Sequence, residues 1–362
     1  MRTLITGGCG FIGSNTAARF AQSGHEVTLL DNQSRVGAGL NLAWLRGQGS
    51  FELIRADVRD FNAVLGTIQK GRFDVIVHLA GQVAVTTSIN DPLHDFDVNA
   101  RGTLNVLEAV RRCSPATIVL NASTNKVYGQ LGSLAPVARE TRYELPALPR
   151  GVSETQPLDF HSPYGCSKGA ADQYVTDYAR VFGVRTVNLR QSCIYGYRQF
   201  GMEDQGWVAW FLIAHSLGRP VTIYGDGRQV RDILFIDDLV DCYLAAIRDI
   251  DAVRGLSLNI GGGPRNALSL LELLAIIRDL SGRAVVHHFA EWRAGDQAVY
   301  VSDITRAETL LKWTPAIGFS AGVRRLYDWI NRNPGLFEEA MLVFSRAQPS
   351  SPMLQPSPES PS

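Results

Sequence analysis

Two side chains that could move a proton stand four residues apart in the run 164–168 (YGCSK), where apolar spacing predicts a helix. A spacing of four places Tyr164 and Lys168 on one face of that helix. A phenol, whose ordinary pKa is about 10, is a poor base at neutral pH, but a neighbouring ammonium favours its ionised form. We therefore predict that Tyr164 exchanges a proton with a substrate hydroxyl.

A second candidate is the run 123–129 (STNKVYG), which follows the fifth predicted strand. Open α/β sheets bind ligands at the carboxyl edge of their strands, so we expect Thr124 to hydrogen-bond the reacting oxygen of the substrate. Taken alone, a Ser or Thr after a strand commonly satisfies its own turn. Convergence with Tyr164 and Lys168 favours the catalytic interpretation.

A glycine-rich run, 6–13 (TGGCGFIG), lies between the first predicted strand and the first predicted helix. Glycines let the backbone approach a pyrophosphate, and the helix N-terminus, predicted at Ser14, offers free N–H groups. Asp31 ends the second predicted strand, where a carboxylate can accept both hydroxyls of a ribose and repels a 2′-phosphate. These features predict NAD; Arg35, which could pair with that phosphate, leaves NADP as the alternative.

The elements that position these residues alternate between short β-branched runs and longer amphipathic patterns. The predicted strands are Thr3–Thr6, Glu26–Leu30, Phe51–Arg55, Val75–Leu79, Thr117–Leu120 and Thr186–Leu189. The predicted helices include Ser14–Gln22, Asn99–Arg112 and Tyr164–Val181. Such alternation predicts an α/β fold with a doubly wound parallel sheet of the Rossmann type.

The predicted dinucleotide-binding domain spans residues 1–190 and is rejoined by about 233–262. Residues 191–345, with irregular loops rich in Gly, Arg and Trp, are predicted to form a smaller α/β substrate-binding domain. The excursion at 131–160 is expected to form a lid over the site. Residues 346–362, rich in Ser and Pro, are a predicted disordered tail.

Composition narrows the function classes. Thirty-five basic and 35 acidic residues cancel, which argues against nucleic-acid and membrane-surface binding. The five cysteines include no C-x-x-C pair and no histidine at ligand spacing, so we predict free thiols and no metal site. With no signal-peptide pattern and no apolar run of about 18 residues, the expected location is the cytoplasm.

Six runs are more specific than the glycine loop: 81–84 (GQVA), 86–89 (TTSI), 123–129 (STNKVYG), 158–164 (LDFHSPY), 204–208 (DQGWV) and 229–232 (QVRD). With the motifs above, they resemble the extended short-chain dehydrogenase/reductase family from residue 2 to about 335. Within that family, the likeness is strongest to NAD-dependent nucleotide-sugar epimerases acting on carbon 2 of a CDP-activated deoxyhexose. The resemblance also implies a homo-oligomer, dimer or tetramer, built on the helices Asn99–Arg112 and Tyr164–Val181.

The resemblance assigns roles residue by residue. It implies that Thr124, Tyr164 and Lys168 form the catalytic set and that Lys168 also holds the nicotinamide ribose. Cofactor contacts are expected at Gly7, Gly10, Phe11, Ile12, Gly13, Asp31, Asn32, Asp57, Val58, Leu79, Ala80 and Gln82. Substrate contacts are expected at Gln82, Thr124, Asn125, Arg198, Trp207, Arg231 and Arg293. A guanidinium fork suits a phosphate, but Arg231 and Arg293 could each form a surface ion pair instead.

Two departures from the family pattern bear on the reaction. Asn125 and Lys126 stand where dehydrating or decarboxylating members carry acidic residues, so the general acid for water loss is absent. Cys193 stands where many members have an asparagine, so the phosphate contact there is unassigned. The leading hypothesis is epimerisation by transient oxidation and re-reduction. A carbon-4 epimerase of a UDP-hexose and a non-catalytic NAD-binding regulator are the alternatives, and the residues do not choose the carbon.

Overall fold

The computed structural model describes residues 1–131, 134–293 and 296–347. The strands of the first half are β1 (Arg2–Thr6), β2 (Glu26–Leu30), β3 (Glu52–Ile54), β4 (Val75–His78), β5 (Ile118–Thr124), β6 (Val137–Ala138), β7 (Tyr143–Glu144) and β8 (Arg185–Gln191). Its helices are α1 (Phe11–Gln22), α2 (Ala38–Gln48), α3 (Phe61–Gly71), α4 (Val85–Asn90), α5 (Pro92–Phe96), α6 (Gly102–Cys113) and α7 (Ser162–Phe182). A π-helical turn, Asp97–Arg101, joins α5 to α6, and a 3-10 turn, Asn125–Tyr128, follows β5.

The second half continues with β9 (Cys193–Tyr195), α8 (Trp207–Ser216), β10 (Val221–Tyr224), β11 (Val230–Phe235), α9 (Ile236–Arg248), α10 (Ile250–Val253), β12 (Ser257–Ile260), β13 (Ala267–Ser269), α11 (Leu270–Ser281), β14 (His287–Ala290), β15 (Val299–Tyr300), α12 (Thr305–Leu311), α13 (Phe319–Arg332) and α14 (Pro334–Ala347). Helix α14 includes the first two residues of the predicted tail. Residues 348–362 of that tail lie outside the described residues.

Seven parallel strands form the central sheet in the order β12-β8-β5-β4-β1-β2-β3. β1 lies inside it, with Thr3 paired to Val27 of β2 and to Val75 of β4. Successive β1 side chains belong to different cores: Ile5 packs with α1 and α2, and Leu4 packs with α3 and α6. Helices therefore cover both faces, and the predicted doubly wound α/β fold is confirmed.

Most of residues 191–347 pack around shorter strands. β11 pairs in parallel with β9 and β15 and antiparallel with β13, and β10 pairs with β14. β12 leaves this region and adds an edge to the central sheet beside β8, with Leu258 opposite Leu189. The chain therefore adds β12 to the sheet of the first half only after it has formed β9, β10 and β11.

Tertiary pairing moves several element boundaries away from the predicted ones. β5 continues four residues beyond Leu120 because β8 stays paired with it as far as Thr124 and Gln191. α1 begins at Phe11, three residues before the predicted start, so Gly13 lies inside the helix. The predicted helix Asn99–Arg112 is divided by the π-helical turn before α6.

The predicted lid, residues 131–160, is bonded to the second half where the structure describes it. The Tyr143 amide donates to the Arg228 carbonyl at 2.9 Å, and the Val152 amide donates to the Val301 carbonyl at 2.7 Å. A lid function stays a prediction. Among the helices in the described ranges, none has both the length and the apolar character needed to cross a bilayer.

Candidate active site

The carboxyl ends of β1, β2, β4 and β5 meet at one edge of the central sheet because these strands are parallel. The segments that follow them carry the glycine loop, Asp31, the run 79–82 and the end of β5 at Thr124. Helix α7 packs against β5 and β8, which brings its first turns to the same edge. Residues distant in sequence therefore converge on one site.

The glycine loop after β1 is shaped by close backbone contacts. Gly7 has a φ of 69°, and a Cβ there would lie 2.8 Å from the Ala80 nitrogen. A Cβ on Gly13 would lie 2.2 Å from the Gly7 carbonyl oxygen, so the first turn of α1 can approach the loop only without a side chain. No side chain of the described residues caps α1 at Gly10. The free N–H groups of this helix end fit a pyrophosphate.

Asp31 is held at the end of β2 by two backbone donors. Its carboxylate accepts the Cys9 amide at 2.9 Å and the Gln33 amide at 2.6 Å. Burial raises the pKa of this carboxyl, and the two amides oppose that rise. The guanidinium of Arg35, the group that would favour a 2′-phosphate, contacts Gln205 of the second half. The fixed carboxylate fits a ribose diol.

Asn32 and Asp57 form the next part of the predicted cofactor site. The Asn32 amide donates to Asp57 at 2.8 Å, and Arg59 grips the same carboxylate through Nε and Nη2. That Arg59 fork holds the pKa of Asp57 well below its ordinary range. Val58 is buried in the core beside α3 and α6, so contact with a ligand would have to come from its backbone. After β4, Leu79 and Ala80 have their amides bonded to the Thr6 hydroxyl at 3.2 Å.

The predicted catalytic residues lie together at the end of β5 and the start of α7. Tyr164 and Lys168 are 7% and 8% exposed, and the Thr124 hydroxyl contacts the Tyr164 phenol. The Lys168 ammonium donates to the Ala122 carbonyl at 2.5 Å. The arrangement offers a phenol and a hydroxyl to one substrate oxygen, with a cation one helical turn away.

The pKa values of the pair differ from the sequence-based expectation. Burial raises the pKa of Tyr164 to about 12, with Asp95 adding to the rise and Thr124 opposing it. Burial also lowers the pKa of Lys168 to about 8, against the charges of Asp172 and Asp95. We expected Lys168 to lower the pKa of Tyr164; the pKa rises instead, because burial removes the phenol from water.

A set of four buried polar side chains lies beneath the predicted catalytic residues and consists of Gln82, Asp95, Asn99 and Ser167. Asp95 accepts hydrogen bonds from the side chains of the other three. The Gln82 amide also donates to the Ala84 carbonyl, and its oxygen accepts the Ala84 amide. Both ends of Gln82, a predicted cofactor and substrate contact, are therefore used within the protein.

Several predicted substrate residues lie beyond β5. Asn125 is buried directly after Thr124, and Trp207 begins α8 beside Cys193. Arg231 of β11 donates to Asp296 at 2.6 Å, and Lys126 lies 3.8 Å from the same carboxylate. Burial lowers the pKa of Lys126, and the charge of Arg231 lowers it further. Two cations therefore share one acid near the end of β5.

The remaining two predicted arginines occupy different surroundings. The Arg293 guanidinium lies 3.9 Å from the centre of the Tyr224 ring and donates to Asp204 at 2.9 Å. Arg198 lies over the rings of Trp44 and Trp329, at 4.7 and 5.7 Å from their centres. The structure does not bring Arg198 together with Arg231 and Lys126, because stacking between two indoles holds its cation elsewhere.

Sequence reasoning missed Asp95, Ser167 and Asp296 as members of the site. Asp95 and Ser167 are 0% and 2% exposed although they are polar. The sequence around Asp95, for which no element was predicted, gives no sign that this acidic residue is buried. A weak signal was available for Ser167, since it lies between Tyr164 and Lys168 in the motif.

Comparisons with known proteins identify the family of the chain. Residues 3–261 match the NAD dependent epimerase/dehydratase family, which confirms the resemblance and NAD as the predicted cofactor. The chain is 46% identical over 334 residues to the CDP-paratose 2-epimerase of Salmonella typhi, covering 91% of this chain and 99% of that protein. It is 33% identical over 329 residues to the UDP-glucose 4-epimerase of Mycolicibacterium smegmatis, covering 91% and 98%.

Solved structures of nucleotide-sugar epimerases are similar to this chain over most of its length. The UDP-glucose 4-epimerase of Thermotoga maritima with UDP-glucose superimposes with a TM-score of 0.78 at 26% identity, covering 92% of this chain and 100% of that one. The Thermus thermophilus UDP-glucose 4-epimerase in complex with NAD gives a TM-score of 0.75 at 30% identity, covering 92% and 99%. The match over residues 3–261, most of the chain, and the 46% identity to one member lead to one conclusion: this protein belongs to the NAD dependent epimerase/dehydratase family.

Proposed function

We propose that this protein is an NAD-dependent isomerase that inverts carbon 2 of CDP-paratose to give CDP-tyvelose, a sugar for O-antigen biosynthesis. The observation that carries the proposal is the 46% identity to a CDP-paratose 2-epimerase over 91% of the chain. The meeting of Thr124, Tyr164 and Lys168 beside the glycine loop supports it, because oxidation and re-reduction need a proton acceptor next to the cofactor.

Bound NAD would supply a nicotinamide that takes up a hydride from the sugar carbon and returns it, so no net oxidation occurs. The remaining chemistry belongs to side chains of the protein. Tyr164 takes the proton from the sugar hydroxyl and later gives it back, and Thr124 binds the same oxygen. Lys168 provides the positive charge that favours the phenolate during that exchange. Inversion requires the keto sugar to turn between the two half-reactions.

The proposed cofactor contacts follow from the shape of the glycine loop and the N-terminus of α1. The α1 N-terminus at Gly10–Gly13 holds the pyrophosphate, Asp31 takes the ribose diol, and the Asn32–Asp57 pair lies beside it. Arg231 and Arg293 are the proposed partners of the substrate diphosphate. Phosphate would then replace the carboxylates of Asp296 and Asp204 that these arginines now contact.

Isotope labelling tests the mechanism and the carbon together. CDP-paratose carrying deuterium at carbon 2 should keep the label at that carbon in ordinary water, and unlabelled substrate in heavy water should gain none. A carbanion mechanism would exchange this hydrogen with the solvent. A primary isotope effect is expected with the carbon-2 label and not with a carbon-4 label, provided that hydride transfer limits the rate. Solvent deuterium at the inverted carbon would overturn the proposal.

The second candidate is a carbon-4 epimerase of a UDP-hexose. It is favoured by the 33% identity to a UDP-glucose 4-epimerase and by the fold match to the Thermotoga maritima enzyme. Assays of CDP-paratose and UDP-glucose in parallel separate the two candidates: turnover of the UDP-sugar alone would replace the substrate and keep the mechanism. A non-catalytic regulator would turn over neither.

The cofactor can be tested without substrate. Because Asp31 is fixed toward a ribose diol and the reaction cycle does not require exchange, we expect the purified protein to carry NAD. Release by denaturation and identification of the nucleotide by mass spectrometry would check this. Recovery of NADP alone would contradict the role given to Asp31.

Assembly and location remain proposals. Exposed apolar side chains on α5 and α7, including Leu93 at 79%, Phe96 at 53% and Val181 at 58%, support a homo-oligomer, dimer or tetramer. Light scattering of the purified protein would measure its mass in solution. A cytoplasmic location is a prediction from the sequence, which fractionation of the cells would check.

A further inference from the structure

Asp95 is a completely buried carboxylate just below the proposed catalytic residues. Its Oδ1 accepts the Gln82 amide at 2.7 Å and the Asn99 amide at 3.1 Å, and its Oδ2 accepts the Ser167 hydroxyl at 2.5 Å. These bonds join α5, the π-helical turn and the loop after β4 to the second turn of α7. The carboxylate thus connects four segments around the site.

Ser167 makes this connection specific for the catalytic pair. It lies between Tyr164 and Lys168, and its hydroxyl is also 3.2 Å from the Tyr164 carbonyl oxygen and 3.1 Å from the Asn99 amide. A second tie comes from α4, where the Ser88 hydroxyl accepts the Tyr164 amide at 3.2 Å. The first two turns of α7 are therefore held from below by polar bonds.

A buried carboxylate is costly, and a neutral side chain could fill the same space. The nearest ammonium, on Lys168, is directed to the Ala122 carbonyl, so Asp95 is held by neutral donors. Burial raises the pKa of Asp95, and the hydrogen bonds from Ser167 and Gln82 and the charge of Lys168 oppose that rise. In its ionised form, this carboxylate raises the pKa of Tyr164 and that of Lys168. Packing alone does not account for an acid at this position.

We propose that Asp95 is a positioning residue for the reaction proposed above: through Ser167 it fixes the first turns of α7 and so the placement of Tyr164 and Lys168. The inference rests on the proposed function for its kinetic part only. Asp95 does not touch substrate, because no part of it is exposed.

Asp172 and His78, two other titratable groups near Tyr164 and Lys168, are already held by partners of their own. Asp95 is therefore the group whose charge the experiment changes. Asp172, one turn further along α7, also raises the pKa of Lys168, but it is committed to Arg190 at 2.8 Å. His78 of β4 is buried between Thr6 and Thr103, and burial lowers its pKa to about 3, so it is neutral. His94 faces Asp95 from α5.

Removing the charge has a predictable sign. The negative charge of Asp95 raises the pKa of Tyr164 and that of Lys168. In Asp95→Asn both pKa values should fall, so the pH profile of kcat should move by about one pH unit toward lower pH. In Ser167→Ala the charge remains and the connection is lost. That variant should lose about 10- to 100-fold in kcat without a shift of the profile.

The experiment measures kcat against pH for the NAD-loaded wild-type enzyme, Asp95→Asn, Ser167→Ala and the control Asp97→Asn. Asp97 is a partly exposed acid two residues away that pairs with Arg101 at 2.6 Å, and its variant should match the wild type. In parallel, the pH dependence of the Tyr164 Cζ signal is followed by NMR after labelling with [ζ-13C]tyrosine. Tyr164→Phe identifies that signal.

The outcomes separate the two proposals. A shift of both the profile and the NMR titration in Asp95→Asn supports the inference. If kcat falls in Asp95→Asn while neither the pH profile nor the NMR titration moves, Asp95 has only a structural role. If kcat is unchanged in Ser167→Ala, Asp95 does not position α7 through Ser167. This second result holds even if Asp95→Asn fails to fold. If the wild type does not convert CDP-paratose, the proposed function fails, whereas the NMR titration still decides the effect of Asp95 on Tyr164.

Discussion

The proposed cofactor site and the proposed substrate site of this protein are formed in different ways. Around the glycine loop, backbone atoms define the shape, as the contact between Gly13 and the Gly7 carbonyl illustrates. At the proposed substrate site, side chains from distant segments define the shape: Lys126, just after β5, and Arg231 of β11 share the carboxylate of Asp296. We expect the first kind of site to bind its ligand without rearrangement, and the second to exchange internal partners for its ligand.

Among the proposed site residues, loss of Tyr164 should separate binding from chemistry most clearly. Tyr164→Phe removes one hydroxyl, and kcat should fall by about 10² to 10⁴, the usual effect of losing an acid-base group. Bound NAD per chain should stay the same. Tyr174→Phe is the matched control because Tyr174 is on the same helix and 45% exposed. Full activity in Tyr164→Phe would place the base elsewhere.

One added methyl group should disrupt the proposed pyrophosphate site at the glycine loop. Gly13→Ala puts a Cβ about 2.2 Å from the Gly7 oxygen, and we expect the purified variant to lose its NAD. Absorbance of the released nucleotide measures this. Gly66→Ala on α3 is the control: no atom lies within 4 Å of its new Cβ, so NAD should remain and stability should rise by about 0.5–1 kcal/mol. Stoichiometric NAD in Gly13→Ala would show that the loop tolerates displacement.

A variant of the proposed substrate site should change affinity while leaving the cofactor in place. Arg231→Met removes a proposed phosphate contact, and KM for the nucleotide sugar should rise about 10- to 100-fold, since a hydrogen bond to a charged group contributes about 1.5–3 kcal/mol. Arg231→Lys keeps the charge without the fork and should lie between the two. Steady-state kinetics with a parallel NAD measurement checks this. A fall in NAD content with unchanged KM would assign Arg231 to the cofactor site.

The smallest effect concerns the stability of the first half at low pH. Glu108 of α6 accepts hydrogen bonds from Arg111, Arg112 and Tyr178, and these, Arg111 first, lower its pKa to about 2. The stabilisation is present above the ordinary pKa, about 4.5, and is lost as the pH falls toward about 2.

Urea unfolding of Glu108→Gln should therefore show a loss on the order of 1 kcal/mol at pH 6 that disappears near pH 2. Glu26→Gln is the control, because the Glu26 side chain is 73% exposed and its ion pair with Arg2, at 3.6 Å, is longer than those of Glu108. An equal loss at both pH values in Glu108→Gln would mean that packing, not ionisation, is responsible.

The residues of the candidate site also differ in how far they could be predicted. The glycine loop and Asp31 could be proposed as cofactor contacts from the sequence, because each follows a strand directly and would act through local backbone geometry. Asp95 and Asp296 were not, because their partners lie on other segments and no local pattern records that proximity. Arg198 matched a family position, but two indoles in distant helices hold it. The pKa of Tyr164 was predicted with the wrong sign because burial is a property of the fold.

The late return of β12 to the central sheet affects how the chain can be made. β8 remains an open edge until Ser257–Ile260 has been synthesised, which is after β9, β10 and β11. An unpaired edge strand is a template for association with other chains, and domains fold as they leave the ribosome. A nascent or truncated chain ending near residue 190 would expose β8, so we expect such fragments to aggregate or to require a chaperone. Supplying residues 191–347 as a separate chain would show whether β12 can close the sheet in trans.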